Sequence, residues 1–125
     1  MKILMVCLGN ICRSPLAEGI LRSKADERGL SVTVDSAGTG DYHVGEAPDD
    51  RAIATARKNG VDISGLAARQ FAVSDFDAFD RIFTMDNSNY RNVLQLASSD
   101  MHREKVSRML DVLYPGEEKI GRAHV

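Results

Sequence analysis

Two residues in one short stretch have the types and spacing to do covalent chemistry on an anion. In Cys7-Leu8-Gly9-Asn10-Ile11-Cys12-Arg13-Ser14-Pro15, a thiol is followed six positions later by a guanidinium. A thiolate is a strong nucleophile, and arginine grips phosphate oxygens through two parallel hydrogen bonds. Gly9 lets the backbone approach an anion and take a positive φ, and Asn10 tolerates that conformation better than most residues. Ser14 is spaced to donate to the Cys7 sulfur, as resting nucleophile and as leaving group. The chemistry implied is attack of sulfur on phosphorus while Arg13 holds the oxygens.

The elements around the stretch must position it. An apolar run, Ile3-Leu4-Met5-Val6, leads in, and a helical pattern opens at Pro15. A strand thus enters a tight loop and a helix leaves it. That order aims loop N–H groups and the positive end of the helix at one point, a phosphate site. A thiol there, beside an arginine, sits where the thiolate is favoured. C-x5-R alone is common, and a cysteine after a strand is often only a small buried hydrophobe. Gly, Asn, Ser and Pro in this strand-loop-helix setting favour the phosphate loop.

Val6-Cys7-Leu8-Gly9-Asn10-Ile11-Cys12-Arg13-Ser14-Pro15 resembles the signature of the low molecular weight protein tyrosine phosphatases. The likeness continues through Val34-Asp35-Ser36-Ala37-Gly38, Ala68-Arg69-Gln70 and Thr84-Met85-Asp86, and runs to about Lys119. It implies that Cys7 is the nucleophile and Arg13 the phosphate clamp. It also implies that Cys12 protects Cys7 as a reversible disulfide, and that Asn10, Ser14 and Ser36 form the network that shapes the loop. Tyr42 matches an aromatic that walls the pocket and stacks on the substrate ring. One departure stands out: Ser64-Gly65-Leu66 replaces the Ser-Gly-His common in bacterial members. The histidine that would brace Asn10 is therefore expected to be lost, at about 1 kcal/mol for one hydrogen bond.

A chain of 125 residues makes one domain with one core. A net charge of −2 gives no electrostatic case for nucleic acid or a membrane surface. No apolar run approaches the ~20 residues of a membrane span, and no leader is recognised, so the expected compartment is the cytoplasm. Two cysteines in a C-x4-C pair suit a reducing compartment with one reactive thiol. His43, His102 and His124 lack ligand spacing, so neither a metal nor a cofactor is expected.

In chain order, residues 2–6 read as a buried parallel strand, and 15–28 as a helix with Leu16, Ile20 and Lys24 in one stripe beside Ala17 and Leu21. Gly29 stops that helix. Residues 31–34 return as a strand, completing a βαβ unit. Residues 39–47 form a loop carrying Tyr42 at the edge where open α/β sheets bind ligands. Residues 49–59 form a short helix with Ala52, Ile53 and Ala56 inward, and 61–73 are irregular. Ser74 is expected to cap a helical turn, residues 80–85 to form a strand, and Asp86 or Asn87 to cap a helix burying Tyr90, Val93, Leu94 and Ala97. A fourth strand is expected over 105–110. Together these predict an α/β fold: a three-layer doubly wound domain with four parallel strands, ordered 2-1-3-4 by the resemblance.

The resemblance further implies a general acid, the aspartate of an Asp-Pro-aromatic loop after the fourth strand, and then a final helix. No Asp-Pro dipeptide occurs in this sequence: Pro15, Pro48 and Pro115 follow Ser, Ala and Tyr. A positioned acid is worth about 10²–10⁴ in rate. Asp111 is read as a surface carboxylate and not as its substitute. Ile120-Gly121-Arg122-Ala123-His124-Val125 resembles a translated sequencing adapter (ATC GGA AGA GCA CAC GTC), so 1–119 is read as a C-terminally incomplete domain and 120–125 as a non-native tail.

The expected function is hydrolysis of phosphotyrosine on proteins, an aryl phosphate monoester, through a cysteinyl phosphate. Phosphoarginine is a further substrate known in the family. Arsenate reduction on the same scaffold relays a disulfide through two more downstream cysteines, and none follows Cys12; external thiols would have to replace them. A phosphate-binding module without turnover is the third reading, motivated by the unassigned acid.

Overall fold

The computed structural model describes residues 1–109. The expectations placed on Leu110, on Asp111 and on the tail lie outside the described residues.

The first strand, β1 (Lys2–Cys7), sits at the centre of a fully parallel four-stranded sheet. Its apolar run does not alternate with polar residues because both faces are covered. Alternate side chains divide between two cores. Leu4 and Val6 enter one, with Ala37, Phe71, Phe76, Phe79, Ile82, Val93 and Val106. Ile3 and Met5 enter the other with Val34, against Ala17, Leu21, Phe83 and Met109. Strand β2 (Thr33–Gly38) flanks β1 in the register Lys2↔Thr33 to Cys7↔Gly38. Strand β3 (Arg81–Thr84) flanks it on the other side, and β4 (Val106–Arg108) pairs with β3. The order is β2-β1-β3-β4, as expected.

Helix α1 (Arg13–Glu27) returns over the Ile3/Met5 face and ends at Gly29, whose φ of 67° lets Leu30 N bond back to Ala25 O at 2.9 Å. A short helix, α2 (Asp50–Lys58), packs on α1 and is capped by Asp49, which accepts from Arg51 N. The opposite face carries α3 (Asp75–Ala78) and α4 (Asn87–Leu96), whose Tyr90, Val93 and Leu94 face the first core. Helices on both faces of a parallel sheet make the three-layer α/β domain read from the sequence.

Several local expectations need correction. Strand β2 starts two residues later than expected and continues through Asp35-Ser36-Ala37-Gly38, because pairing with β1 recruits residues whose own propensity is low. Lys24 is exposed, and the fully buried positions of α1 are Ser14, Pro15, Glu18, Gly19 and Ala25, with the expected apolar stripe only half-buried. Gly19 is there for space: a Cβ would lie 2.5 Å from Ile63 Cγ2. Ser74 makes no capping bond; Asp75 instead folds back to accept from Ala72 N at 2.8 Å. Asp86 does cap α4, accepting from Asn89 N at 2.8 Å. A five-residue helix, α5 (Asp100–Glu104), capped by Ser99, was not foreseen. It is too short for a periodic signal.

Candidate active site

Cys7 ends β1, buried among the strands, at the C-terminal edge of the sheet. Two donors face its sulfur. Asn10 N donates at 3.2 Å, and Ser14 Oγ lies 2.9 Å away. Asn10 Nδ2 in turn donates to Ser14 Oγ at 2.8 Å, which leaves the serine proton free to point at the sulfur. The orientation of the Asn10 amide is fixed from its other side, since Oδ1 accepts Arg69 N at 3.0 Å. The sulfur is thus held as the acceptor of two hydrogen bonds.

The left-handed residue of the loop is Asn10, with φ of 58°. Gly9 has no positive φ, contrary to expectation. Its role is clearance: a Cβ there would lie 2.9 Å from the His43 ring. The loop is also stitched to its surroundings through the backbone. Thr39 N bonds Cys7 O and Gly40 N bonds Leu8 O, both at 2.9 Å, and Asp49 N bonds Ile11 O at 2.7 Å. Asn89 is buried in α4, and with its amide oriented to suit its neighbours the nitrogen lies 3.1 Å from Asp86 Oδ1 and the oxygen 3.3 Å from Leu8 N.

Arg13, in the first turn of α1, lines one cavity with Cys7, Leu8, Gly9, Ile11, Cys12, Tyr42 and His43. Its NH2 donates to Asp86 Oδ2 at 2.8 Å. Burial alone would raise the Asp86 carboxyl, but the hydrogen bonds from Asn89 and Arg13 outweigh it and hold the group below the usual carboxylate range. Tyr42 is exposed at the rim, its ring so close to Gly40 that a Cβ there would lie 2.5 Å from it. Cys12 is exposed, and its thiol is pushed up by desolvation, then by Asp49 and Cys7. Both cysteines are free thiols. The two thiols thus differ in kind: Cys7 receives hydrogen bonds, whereas Cys12 is held towards the protonated form.

Ser36 does not join Asn10 and Ser14. Its hydroxyl donates to Glu18 Oε1 at 2.5 Å, and Glu18 is paired on its other oxygen with Arg22 at 2.6 Å. Leu66, at the position of the family's histidine, packs with Ala52, Ala56 and Ile63, and Asn10 is braced instead by Arg69 N on its Oδ1. Sequence reasoning missed Arg69, Asp86, Asn89 and His43. The Asp86 cap was a visible signal, but its pairing with Arg13 was not.

Two predictions follow from this geometry. Asp86→Asn keeps a good N-cap but removes the charge opposite Arg13. Both side chains of this pair are well exposed, at 54% and 38%, so the loss is at most about 1 kcal/mol. Because the folded carboxyl is depressed, wild type holds this advantage above the unfolded carboxylate pKa and loses it as pH falls through the folded value. Urea midpoints of the two proteins should therefore differ at neutral pH and converge in acid. Separately, a Cβ on Gly38 would lie 2.7 Å from Leu8 O and 3.1 Å from Asn10 N, both backbone atoms of the loop. Gly38→Ala should cost about 1–3 kcal/mol in denaturant melts and impair the site, whereas Gly65→Ala, which meets nothing within 4 Å, should not.

A thiol at a strand end, five residues, an arginine and a helix N-terminus on a doubly wound sheet define the phosphate loop of a cysteine-based phosphatase. The family model described as low molecular weight phosphotyrosine protein phosphatase matches residues 2–121. A low molecular weight phosphotyrosine protein phosphatase of Schizosaccharomyces pombe is 44% identical over 122 residues, covering 95% of this chain and 77% of that protein. The crystal structure of YfkJ from Bacillus subtilis superposes with a TM-score of 0.88 at 37% identity, covering 94% of this chain and 74% of that one. A protein tyrosine phosphatase from Entamoeba histolytica, solved with Hepes in its active site, gives a TM-score of 0.84 at 35% identity, with 98% and 86% covered. The chain belongs to the low molecular weight phosphotyrosine protein phosphatase family, the cysteine-based protein tyrosine phosphatases its loop resembles.

Proposed function

We propose that this protein hydrolyses phosphotyrosine on protein substrates, with Cys7 as nucleophile and Arg13 as clamp. The observation that carries this reading is the Cys7 sulfur, held by Ser14 Oγ at 2.9 Å and Asn10 N at 3.2 Å in a cavity that Arg13 also lines. In the first step a sulfur–phosphorus bond forms and the bond from phosphorus to the tyrosyl oxygen breaks. In the second, water attacks phosphorus and the thiolate leaves, received again by Ser14 and Asn10. The bonds of Arg13 and of the loop follow the phosphoryl oxygens as charge spreads over them. Tyr42 at the rim supplies a ring for the substrate's ring to stack on.

No residue among those described is assigned as the acid for the first step. An aryl oxygen, with a phenol pKa of about 10, is a better leaving group than an alkoxide. Among the described residues no helix is long and apolar enough to cross a membrane. The cytoplasm, where free thiols stay reduced, is the compartment that suits Cys7.

The test is acid-quenched turnover of an aryl phosphate, followed by mass spectrometry of the peptide bearing Cys7. One phosphoryl group on that sulfur during turnover is the expected result. Turnover with the phosphoryl group on another residue, or with none on the protein, overturns the assignment. Phosphate-ester binding without turnover would favour the non-catalytic module.

A further inference from the structure

Arg69 lies outside the cavity, yet its backbone and side chain are tied into separate parts of the site's support. Its N–H donates to Asn10 Oδ1 at 3.0 Å, and its carbonyl accepts Gly38 N at 2.9 Å. Its guanidinium bridges two carboxylates. Nε and NH2 reach Asp35 Oδ2 at 3.2 and 3.1 Å, while NH1 and NH2 reach Asp75 at 3.0 and 3.2 Å. Asp75 is buried and also accepts Ala72 N, and Asp35 lies on β2. The arginine therefore cross-links β2 to the start of α3 and fixes its own peptide between them. It is a planar, forked cation against two carboxylates, a geometry that lysine does not reproduce.

What that peptide holds is the residue on which the nucleophile depends. Asn10 carries the one non-glycine positive φ among the described residues, and its backbone N–H and side-chain amide act on Cys7 and Ser14. Its Oδ1 is anchored by Arg69 N. A shift of the Arg69 peptide would free that oxygen, relax Asn10 and move both donors off the sulfur.

We infer that Arg69 is a positioning residue for catalysis: the Asp35–Arg69–Asp75 bridge sets the reactivity of Cys7 through Asn10. The inference rests on the proposed role of Cys7 as the reactive thiol, and it deepens that role. Substitutions at 69 leave the backbone N–H in place, so any effect on Cys7 reports where the peptide sits and not the deletion of the bond itself.

The experiment measures the rate of Cys7 alkylation by iodoacetate at about pH 6, in a Cys12→Ser background so that one thiol remains. Arg69→Gln should slow alkylation about tenfold and lower kcat on an aryl phosphate by a similar factor, with KM changing less than about threefold. Arg69→Lys, which keeps the charge without the fork, should recover only part of the alkylation rate. A role in stability alone would lower the melting temperature of the folded variants and leave their alkylation rates at the wild-type value; that result overturns the inference. Asp35→Asn, a milder change at a half-exposed carboxylate, guards against misfolding of the position 69 variants. It should slow alkylation about threefold, on the same displacement argument, and an unaltered rate there also overturns the inference. Alkylation needs no turnover, so a wild-type protein that fails to hydrolyse aryl phosphates would sink the proposed function while Arg69 is still judged.

Discussion

Cys7→Ser is expected to lower aryl phosphate turnover by at least ~10⁴-fold while the protein stays folded and still binds phosphate. The magnitude follows from removing the proposed nucleophile. A serine hydroxyl is a much weaker acid and nucleophile than a thiol, and among the described residues its hydrogen-bond neighbours would be Ser14 Oγ and Asn10 N, neither of them a base. Folding should survive because the substitution is close to isosteric, and the new oxygen inherits two hydrogen-bond partners in a site that is 3% exposed. Binding should survive because Arg13 and the loop backbone are unchanged. The measurement is steady-state hydrolysis beside isothermal titration with inorganic phosphate. Residual activity within about tenfold of wild type would remove Cys7 from the mechanism.

Arg13→Lys is expected to lower kcat/KM by about 10²–10³-fold, the usual cost of losing an oriented donor to transition-state charge. The charge is retained, so the loss isolates geometry. A guanidinium offers two parallel N–H groups to a phosphoryl group, while an ammonium offers a single point of charge on a more flexible stem. Asp86 sharpens the argument. It now holds Arg13 NH2 at 2.8 Å and so fixes the direction from which the fork works. A lysine at this position would keep the attraction to Asp86 but lose the planar edge presented to the cavity. Both kcat/KM on an aryl phosphate and the inhibition constant of inorganic phosphate should worsen. A loss of less than about tenfold would show that Arg13 acts only as a positive charge.

Taken with the Arg69 series, these variants separate three roles. The proposed roles are the covalent step for Cys7, the hold on the oxygens for Arg13, and the placing of the sulfur's donors for Arg69. The Asp86→Asn comparison tests whether the Arg13 pair contributes stability in the pH range its depressed carboxyl predicts.

The loop and its immediate supports were legible in the chain because they are local. From Cys7 to Ser14 the chain is one strand end, a short loop and the start of a helix, so short-range spacing brings thiol, amide, hydroxyl and guanidinium together. Strand β1 was equally plain, since an apolar run without alternation has few other fates in an α/β chain. Asp86 as a cap and Gly29 as a stop are similarly short-range. The sheet order came from resemblance to a family, not from any local pattern.

What the sequence could not disclose depends on contacts between distant residues. Arg69 N meets Asn10 across 59 positions, and Arg13 meets Asp86 across 73. No periodicity encodes which backbone N–H lies over which side chain; sheet order and register decide it. The same holds for Ser36, whose hydroxyl turns to Glu18 because α1 lays that carboxylate over β2. Gly9 looked like a residue chosen for its backbone freedom, yet it is small because His43 lies against it. By itself, then, the sequence determined the nucleophile loop, because bonded geometry carries spacing directly into shape. The tertiary structure alone decided which distant groups brace that loop, because packing, and not chain connectivity, sets their distance.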